Sequence, residues 1–241
     1  MAQEQHPIPP KMKSSMIAHF NHAYKNGLNL STENKKLDVK WDIVKKYIDF
    51  DNLKDKIDFG VGLFYTLPAN KSYFSYIIAK AQVINDTIIP VPIFNNSYLM
   101  LGPNSALAQE ISSQEIITYM NLYKDNVEVR QWPTNNTLEI KDLSNYPKVC
   151  FFEGRKFYEF ITQNIDLTLG NTSTYDLTVY NGSINTENIS HTNTNLYSID
   201  IQTPLLIIEN NDQPALSSEF NITKPYSNKA LDVGRLCPPD C

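Results

Sequence analysis

Two short amphipathic helices are predicted near the start of the chain, where apolar residues recur at helical spacing. The first begins at Ser15 and ends at Gly27, and its apolar side carries Met16, Ile17, Phe20 and Tyr24. The second opens at Asp38, and its inward residues are Trp41, Val44, Tyr47 and Ile48. The preceding residues 1–13 hold three prolines and predict a flexible arm.

From Phe59 the hydrophobic period becomes that of β-strands. Segments rich in aromatic and β-branched residues predict strands over 59–65, 73–84, 87–94, 127–132, 137–140 and 149–152. The segment 73–84 also fits a buried helix, and Asn85-Asp86 predicts a turn after it. A capping box, Ser112-Ser113-Gln114-Glu115, predicts a helix that carries Ile116, Met120 and Tyr123 on its apolar side. A further short helix is predicted over 156–161.

The last third of the chain alternates apolar and polar residues. This pattern predicts strands over 165–169, 175–179 and 197–201, with one face buried and one in water, and a short apolar strand over 205–208. Asn181-Gly182 predicts a tight hairpin. The chain is therefore predicted to be α+β, with N-terminal helices packed on a mainly antiparallel sheet and a β-rich C-terminal half.

The same patterns predict the domain organisation. We expect a flexible arm over 1–13, an α+β region over 14–156 and a β-rich region over 157–241 that ends in a flexible tail. The last two regions are also compatible with one continuous domain.

Charge and hydropathy narrow the classes of partner. The net charge is −5, and residues 157–223 contain no Lys or Arg but eight acidic residues, which argues against a nucleic-acid-binding face. The longest apolar run, 88–94, is interrupted by Pro90 and Pro92 and is far shorter than the ~20 residues that span a bilayer. The remaining surface chemistry predicts another protein or a neutral polar ligand as partner, with neither nucleic acid nor a membrane span.

The sequence supports two interpretations of the cellular compartment. The first residues show no basic segment followed by an apolar stretch, and only three cysteines are present, which predicts a cytoplasmic protein. Nine Asn-x-Ser/Thr sequons support the alternative interpretation, a delivered or secreted surface protein that is glycosylated. Their asparagines are Asn29, Asn70, Asn85, Asn95, Asn135, Asn171, Asn181, Asn188 and Asn221.

Two groups of residues are candidate metal ligands. His19 and His22 lie three residues apart and would share one side of the first helix, although no third ligand lies nearby in sequence. Cys237 and Cys241 enclose Pro-Pro-Asp at the end of the chain and could close a small disulfide, bind a soft metal or do neither. Cys150 lies in an apolar strand, where a thiol behaves as a small hydrophobic group.

Two segments resemble known binding motifs but lack residues at the positions that those motifs require. Residues 49–55 hold Leu53 where an EF-hand loop needs a ligand, and Gly60-Val61-Gly62 lacks the third glycine of a dinucleotide-binding turn. We interpret the first as helix-end acids and the second as close backbone approach in a sheet. No Walker A, Gly-x-Ser-x-Gly or His-Glu-x-x-His motif occurs, so the sequence predicts no cofactor and no catalytic residue.

The Cys-Pro-Pro-Asp-Cys ending, together with the strand from Phe59 to Tyr65, resembles a group of uncharacterised bacterial α+β proteins that end in Cys-Pro-Pro-x-Cys. The resemblance covers residues 38–100 and the last eight residues. It implies an α+β fold and assigns no activity or site residue.

The leading hypothesis is a non-enzymatic binding or protein-interaction protein, because catalytic motifs are absent and a long segment lacks Lys and Arg. A hydrolase that uses carboxylates, with or without a metal ion, is the first alternative. A delivered or secreted surface protein is the second.

Overall fold

A computed structural model describes residues 7–8, 17–18, 36–67, 75–85, 87–102, 108–129, 149–168, 172–184, 201–210, 230–231 and 235–237. Three α-helices have described bounds: α1 (Trp41–Ile48), α2 (Ser113–Val129) and α3 (Gly154–Asn164). The strands are β1 (Pro7–Ile8), β2 (Lys36–Lys40), β3 (Phe59–Thr66), β4 (Ser75–Ile84), β5 (Thr87–Val91), β6 (Ser97–Met100), β7 (Gln109–Ser112), β8 (Val149–Glu153), β9 (Tyr175–Ile184), β10 (Ile201–Asn210), β11 (Ala230–Leu231) and β12 (Arg235–Cys237).

These strands form two sheets. The five-stranded sheet has the order β1-β11-β10-β9-β2, and the seven-stranded sheet has the order β12-β8-β3-β4-β6-β7, with β5 paired to the second half of β4. Every strand pairing within the described ranges is antiparallel. The predicted α+β class, with helices packed on a mainly antiparallel sheet, is confirmed.

The two sheets meet at a corner that follows β6. The amide of Leu101 donates to the carbonyl of Tyr76 in the seven-stranded sheet, at 2.8 Å. The next residue, Gly102, forms an isolated antiparallel bridge with Asp38 of β2, the edge of the five-stranded sheet. One stretch of chain therefore pairs with both sheets.

The larger hydrophobic cluster, which we call the inner core, lies on one face of the seven-stranded sheet. The five-stranded sheet contributes Leu37, Val39, Leu177, Val179 and Leu206 to it. The helix α1 adds its apolar side, Trp41, Val44, Tyr47 and Ile48, and α3 adds Phe157, Phe160 and Ile161. Burial of these side chains removes apolar surface from water and supplies most of the drive to fold.

The second cluster, the outer core, lies on the other face of the same sheet. The helix α2 contributes Ile116, with Tyr119 and Met120 packed against the cluster. The predicted capping box is present at the start of α2, because the Ser112 amide donates to Glu115 at 2.8 Å and the Glu115 amide donates to Ser112 Oγ at 3.3 Å. Among the described helices, none combines the length and the apolar character that crossing a bilayer requires.

Several strand predictions are confirmed. The strands β3 and β4 lie where the sequence places them, so the helical alternative for 73–84 is wrong over the described residues 75–84. The strand predicted over 87–94 is shorter, because β5 ends at Val91, and Asn85, with φ 48°, begins the turn between β4 and β5. The strand β8 and the helix α3 also match, and α3 runs across the boundary between residues 156 and 157. Of the predicted first helix, Ile17 and Ala18 are described and helical. The segments 137–140 and 197–200 lie outside the described residues.

The predicted helix start at Asp38 is wrong. Residues Lys36–Lys40 alternate between partly exposed and buried side chains and pair with β9, so Asp38 is a strand residue and α1 begins at Trp41. The alternation of Leu37 and Val39 with charged residues has a period of two, which a strand satisfies.

The predicted strand over 165–169 is also wrong. Ile165 directly follows α3 and enters the inner core, and Asp166 then accepts hydrogen bonds from the amide and the hydroxyl of Thr168 at 3.0 and 2.6 Å. This local turn competes with strand pairing and leaves Leu167 exposed. Leu169 lies outside the described residues.

The predicted hairpin at Asn181-Gly182 and the predicted strand over 127–132 are also wrong in the described residues, because the neighbouring chain continues a regular element through them. Asn181 and Gly182 do not turn the chain, because β9 continues through them opposite Pro204 and Thr203 of β10. The segment 127–129 is helical, since α2 meets no Gly or Pro before Pro133; residues 130–132 lie outside the described part.

The sequence predicts that one face of the C-terminal strands is exposed to solvent, and this prediction is wrong at the centre of the five-stranded sheet. All four residues from Leu205 to Ile208 are buried, although successive strand residues point to opposite faces. Thr178 is also fully buried between Leu177 and Val179. The centre of the five-stranded sheet is therefore covered on both faces.

Candidate functional site

The metal and disulfide candidates of the sequence lie mostly outside the described residues. His19, His22 and Cys241 are in that position, and of Cys237 the backbone is described, as the last residue of β12 opposite Val149. Within the described ranges, no group of three or more His, Cys, Asp or Glu is arranged to hold a metal ion. The predicted metal site and disulfide stay predictions.

The remaining motifs have the structural roles that the sequence indicates. Cys150 is fully buried in β8, opposite Leu63 of β3. Asp49 ends α1 with φ 54° and binds Lys80 Nζ at 2.7 Å, as an acid at a helix end rather than a calcium ligand. Gly60 and Gly62 lie inside β3, and a Cβ on Gly60 would approach the Phe152 carbonyl oxygen to 2.0 Å.

One polar network crosses the edge of the five-stranded sheet. Lys36 Nζ lies 3.1 Å from Asp38 Oδ2 and 3.3 Å from Glu209 Oε2, and the Tyr180 hydroxyl donates to Glu209 Oε1 at 2.9 Å. Burial lowers the pKa of Lys36, but the charges of Glu209 and Asp38 outweigh it, so the net pKa is raised. Burial and the neighbouring charge of Glu209 raise the pKa of Tyr180. The network therefore keeps an ammonium between two carboxylates.

A second network joins α1 to β6 and β7. The Tyr47 hydroxyl donates to Glu110 Oε2 at 2.8 Å, and Ser97 Oγ donates to Glu110 Oε1 at 2.6 Å. Burial, followed by the hydrogen bond to Glu110 and its charge, raises the pKa of Tyr47 to about 12. The hydrogen bonds from Ser97 and Tyr47 lower the pKa of Glu110. Both groups thus stay in their neutral-pH states, the phenol protonated and the carboxyl ionised.

These networks suit structural roles better than proton transfer. A general acid at neutral pH needs a carboxyl group whose pKa is raised. The pKa of Glu110 is shifted the other way, and Asp38 and Glu209 share the Lys36 ammonium. The geometry therefore holds edge strands in place and offers no acid–base pair.

The surface of the described residues carries a group of exposed apolar side chains. Seven large hydrophobic side chains of the described residues are more than a third exposed, and five of them lie around the hairpin of β4 and β5. These five residues, which we call the β5 strip, are Ile57, Ile84, Ile89, Ile93 and Phe94. Clustered exposed apolar side chains are unusual on a monomer and mark interaction sites.

Strand register places three members of the strip side by side. Val83 donates its amide to the Asp58 carbonyl at 2.9 Å, which sets Ile57 next to Ile84 at the end of the sheet. Ile89 lies opposite Gln82, so it shares a face with Ile84, two residues further along β4. Ile78, in the same strand and on the same face, belongs to the inner core. The strip therefore extends the inner-core face of the seven-stranded sheet into solvent.

The other end of the strip touches α1. The Phe94 ring packs edge-on against Tyr47 with 5.4 Å between centroids, and Lys46 Nζ lies 6.0 Å from the centre of the Phe94 ring. Asn95 and Asn96, with φ 51° and 53°, turn the chain directly after Phe94. This turn holds Phe94 at the surface beside the helix.

The edge of β5 is chemically unusual. Within the described ranges β5 pairs with β4 alone, and Ile84 and Thr87 close the two-residue turn between them. Because hydrogen-bonded and non-hydrogen-bonded pairs alternate from that turn, the backbone edges of Ile88 and Pro90 point away from β4. Proline has no N–H, so Pro90 removes a donor from the open edge without loss of a bond inside the sheet.

Sequence reasoning did not predict this surface. The run 88–94 is interpreted as part of a strand and as too short for a membrane span, yet two prolines spaced two residues apart in an apolar strand are also a signal for an open edge. The two prolines alone would therefore have predicted an exposed apolar edge at β5.

Comparisons of the chain with protein-family models, with curated proteins and with solved structures give no match. The suspected likeness to bacterial proteins with a Cys-Pro-Pro-x-Cys ending stays a prediction.

Proposed function

We propose that the protein is a non-enzymatic protein-interaction protein and that it binds its partner through the β5 strip. The observation that carries the proposal is the grouping of five exposed apolar side chains around the hairpin of β4 and β5. The segment 51–58 next to Ile57 is exposed apart from Leu53 and carries charges of both signs. An apolar centre with a mixed polar rim is the usual anatomy of a protein interface.

The partner contacts the strip with side chains and not by strand addition. An incoming strand needs a regular row of donors and acceptors along the edge it joins. Pro90 interrupts that row at an outward position, where an N–H would otherwise face the partner. The apolar face of a partner helix, or a cluster of partner side chains, meets no such obstacle.

The partner is a different protein rather than a second copy in a permanent dimer. Five partly exposed side chains supply an apolar surface of a few hundred Å², whereas a stable interface buries about 800 Å² on each partner. The strip therefore suits a transient complex, whose affinity rests on a few anchor residues.

The described residues give the hydrolase alternative no support. Its carboxylates would need one member that is protonated near neutral pH, and the pKa of Glu110 is lowered by its two hydrogen-bond donors.

Three variants of the full-length chain test the proposal. Ile84→Asp and Ile89→Asp each place a charge in the strip, and Ile117→Asp places the same charge on α2, where Ile117 is 55% exposed. Tagged chains are used to purify partners from extracts of the source cells, with quantification by mass spectrometry. We expect a protein bound equally by wild type and Ile117→Asp and at least about tenfold less by both strip variants, a loss of about 1.4 kcal/mol in binding free energy.

Two controls make the result decisive. Ile84 and Ile89 are 42% and 37% exposed, so both strip variants should lose some stability, and thermal unfolding must show that all four chains stay folded at the temperature of the binding assay. Light scattering across a concentration series should show a monomer. A dimer that Ile89→Asp dissociates would assign the strip to a second copy, and equal recovery of every protein by all four chains would refute the proposal.

A further inference from the structure

Three of the nine sequons have their acceptor asparagine and its side chain among the described residues: Asn85, Asn95 and Asn181. N-linked glycosylation attaches a bulky, hydrated group that a surface residue tolerates and a core residue does not. The fold places these three asparagines in very different surroundings, so it discriminates among them.

Asn181 lies between the two sheets. Its side chain is 2% exposed, and its Oδ1 atom accepts a hydrogen bond from the Tyr76 hydroxyl at 2.6 Å. Tyr76 is itself fully buried in the inner core, on β4 of the other sheet. Asn181 also shares its strand face with Leu177 and Val179, both fully buried. A sugar on this residue would have to occupy the space between the sheets.

Asn85 and Asn95 lie on exposed turns at the two ends of the β5 edge. Their φ angles are 48° and 51°, and both side chains are exposed. The two sequons differ in the hydroxyl residue. Thr87 is exposed, whereas Ser97 is buried and donates to Glu110 Oε1 at 2.6 Å. Of the two, Asn85 is the sequon whose asparagine and hydroxyl both remain accessible after folding.

We infer that a glycan on Asn181 and this fold are mutually exclusive, and that Asn85 and Asn95 are the described sequons at which the fold accommodates an N-linked oligosaccharide. In the transfer, Asn Nδ2 forms a bond to the anomeric carbon of a lipid-linked oligosaccharide donor. The bond between that carbon and its pyrophosphate breaks, and Nδ2 loses one proton. The donor is thus the co-reactant, and no oxidation or reduction occurs. The inference does not depend on the proposed function.

The inference limits the secreted alternative. Transfer to a nascent chain precedes folding, so burial in the folded state does not protect Asn181 at that stage. A chain that passes through a glycosylating compartment reaches this fold only in those molecules in which Asn181 is left unmodified. A compartment without this chemistry imposes no such loss.

Secretion of the full chain from eukaryotic cells, with a cleavable leader added, tests the inference. Ser183→Ala abolishes the sequon and keeps Asn181, whereas Thr87→Ala abolishes the Asn85 sequon as a matched control. Occupancy is measured by glycopeptide mass spectrometry in the secreted, folded fraction and in the retained fraction. We expect sugar on Asn181 in the retained fraction alone, and a several-fold gain in secreted yield for Ser183→Ala but not for Thr87→Ala.

Bacterial expression supplies the reference for folding. There, wild type and both variants should give the same yield and the same unfolding temperature, which shows that the Ser183 substitution acts through the sugar. Secreted molecules that carry sugar on Asn181 and unfold at the bacterial protein's temperature would overturn the inference, as would an equal secreted yield for wild type and Ser183→Ala at high Asn181 occupancy.

Discussion

The two faces of the seven-stranded sheet are built on different principles. The inner core buries tyrosines together with polar partners, of which Tyr76 and Asn181 are the clearest pair. The outer core packs large rings against small residues, with Phe64 and Phe151 beside Gly60, Gly62, Ala79 and Ala81. The first face is specified by hydrogen bonds, and the second by shape.

The difference shows how each face resists change. A buried polar group that loses its partner keeps the full cost of its removal from water, so the inner core tolerates only matched replacements. A close-packed cluster of rings and glycines instead tolerates no added volume. The same sheet therefore has one face sensitive to chemistry and one sensitive to size.

The largest effect is expected from added volume at Gly60. In Gly60→Ala the new Cβ would meet the Phe152 carbonyl oxygen at 2.0 Å, a backbone atom that cannot rotate away. Because the strands must then separate, the free energy of unfolding should fall by about 3 kcal/mol or more. Urea denaturation measures it.

Gly62→Ala is the matched control for Gly60→Ala. Its nearest obstacles are side-chain atoms, at 2.5 Å on the Phe64 ring and 3.1 Å on Ala81. A ring can shift in part, so the loss should be smaller than at Gly60. Equal losses at both glycines would contradict the view that backbone approach limits this face.

Loss of the inner hydrogen bond should have the next largest effect. Tyr76→Phe removes the hydroxyl that donates to Asn181 and should lower the free energy of unfolding by about 1–3 kcal/mol. Tyr98→Phe removes an outer-core hydroxyl that makes a 3.5 Å contact with the Pro90 carbonyl oxygen and a hydrogen bond with the side chain of Ser113. Because Ser113 is exposed and water can replace this partner, the loss should be smaller than for Tyr76→Phe. Thermal unfolding of both variants compares the two faces directly, and the reverse order would remove the distinction between them.

The cap of α2 should contribute less. Ser112→Ala removes the hydroxyl that accepts the Glu115 amide and should cost about 1 kcal/mol, since an N-cap side chain satisfies an otherwise unpaired helix donor. Thr118→Ala, in the same helix, removes an exposed hydroxyl that donates to the Gln114 carbonyl, and should be neutral or slightly stabilising. A loss at Thr118 that matches the loss at Ser112 would contradict the capping role.

An effect specific to alkaline pH is expected from Tyr47. Its pKa is raised in the folded state from 10.0 to about 12, so the folded protein holds this proton more tightly than the unfolded chain. The resulting stabilisation is complete below pH 10 and is lost as the pH rises towards 12.

Tyr47→Phe should therefore flatten the fall in unfolding temperature above pH 10. Some slope should remain, because the pKa of Tyr180 is raised as well. Unfolding temperatures of wild type and variant, measured from pH 8 upward, provide the test. Parallel curves would show that the Tyr47–Glu110 hydrogen bond has no share in alkaline stability.

The sequence predicts β3, β4, β5 and β8 of the seven-stranded sheet, whose signals are local, but it predicts none of β6, β7 and β12. The apolar runs of β3, β4 and β5 need no knowledge of their neighbours, and the capping box of α2 reports the helix start through residues three apart. The amphipathic face of α1 is likewise correct, with Trp41, Val44 and Tyr47 buried.

The failures occur where distant contacts decide. Asn181-Gly182 has the composition of a turn, yet the bond from Tyr76, 105 residues away, holds Asn181 inside a strand. Asp38 has the composition of a helix cap, yet pairing with β9 makes it a strand residue. The β5 strip is exposed because the inner-core face of the sheet extends past Lys80, the β4 residue that binds Asp49 at the end of α1. That extent is set by how helix and sheet pack, which no local pattern reports.

The corner after β6 has a mechanical consequence. Residues 97–102 pair with β4 and β7 and then, through Gly102, with β2 at the edge of the five-stranded sheet. A pulling force on either layer is transmitted to the other along this continuous backbone, through the pairs of β6 in one sheet and the isolated bridge of Gly102 with Asp38 in the other. Neither layer can slide or peel away until those bonds break, so we expect the two sheets to yield together at one force rather than in succession.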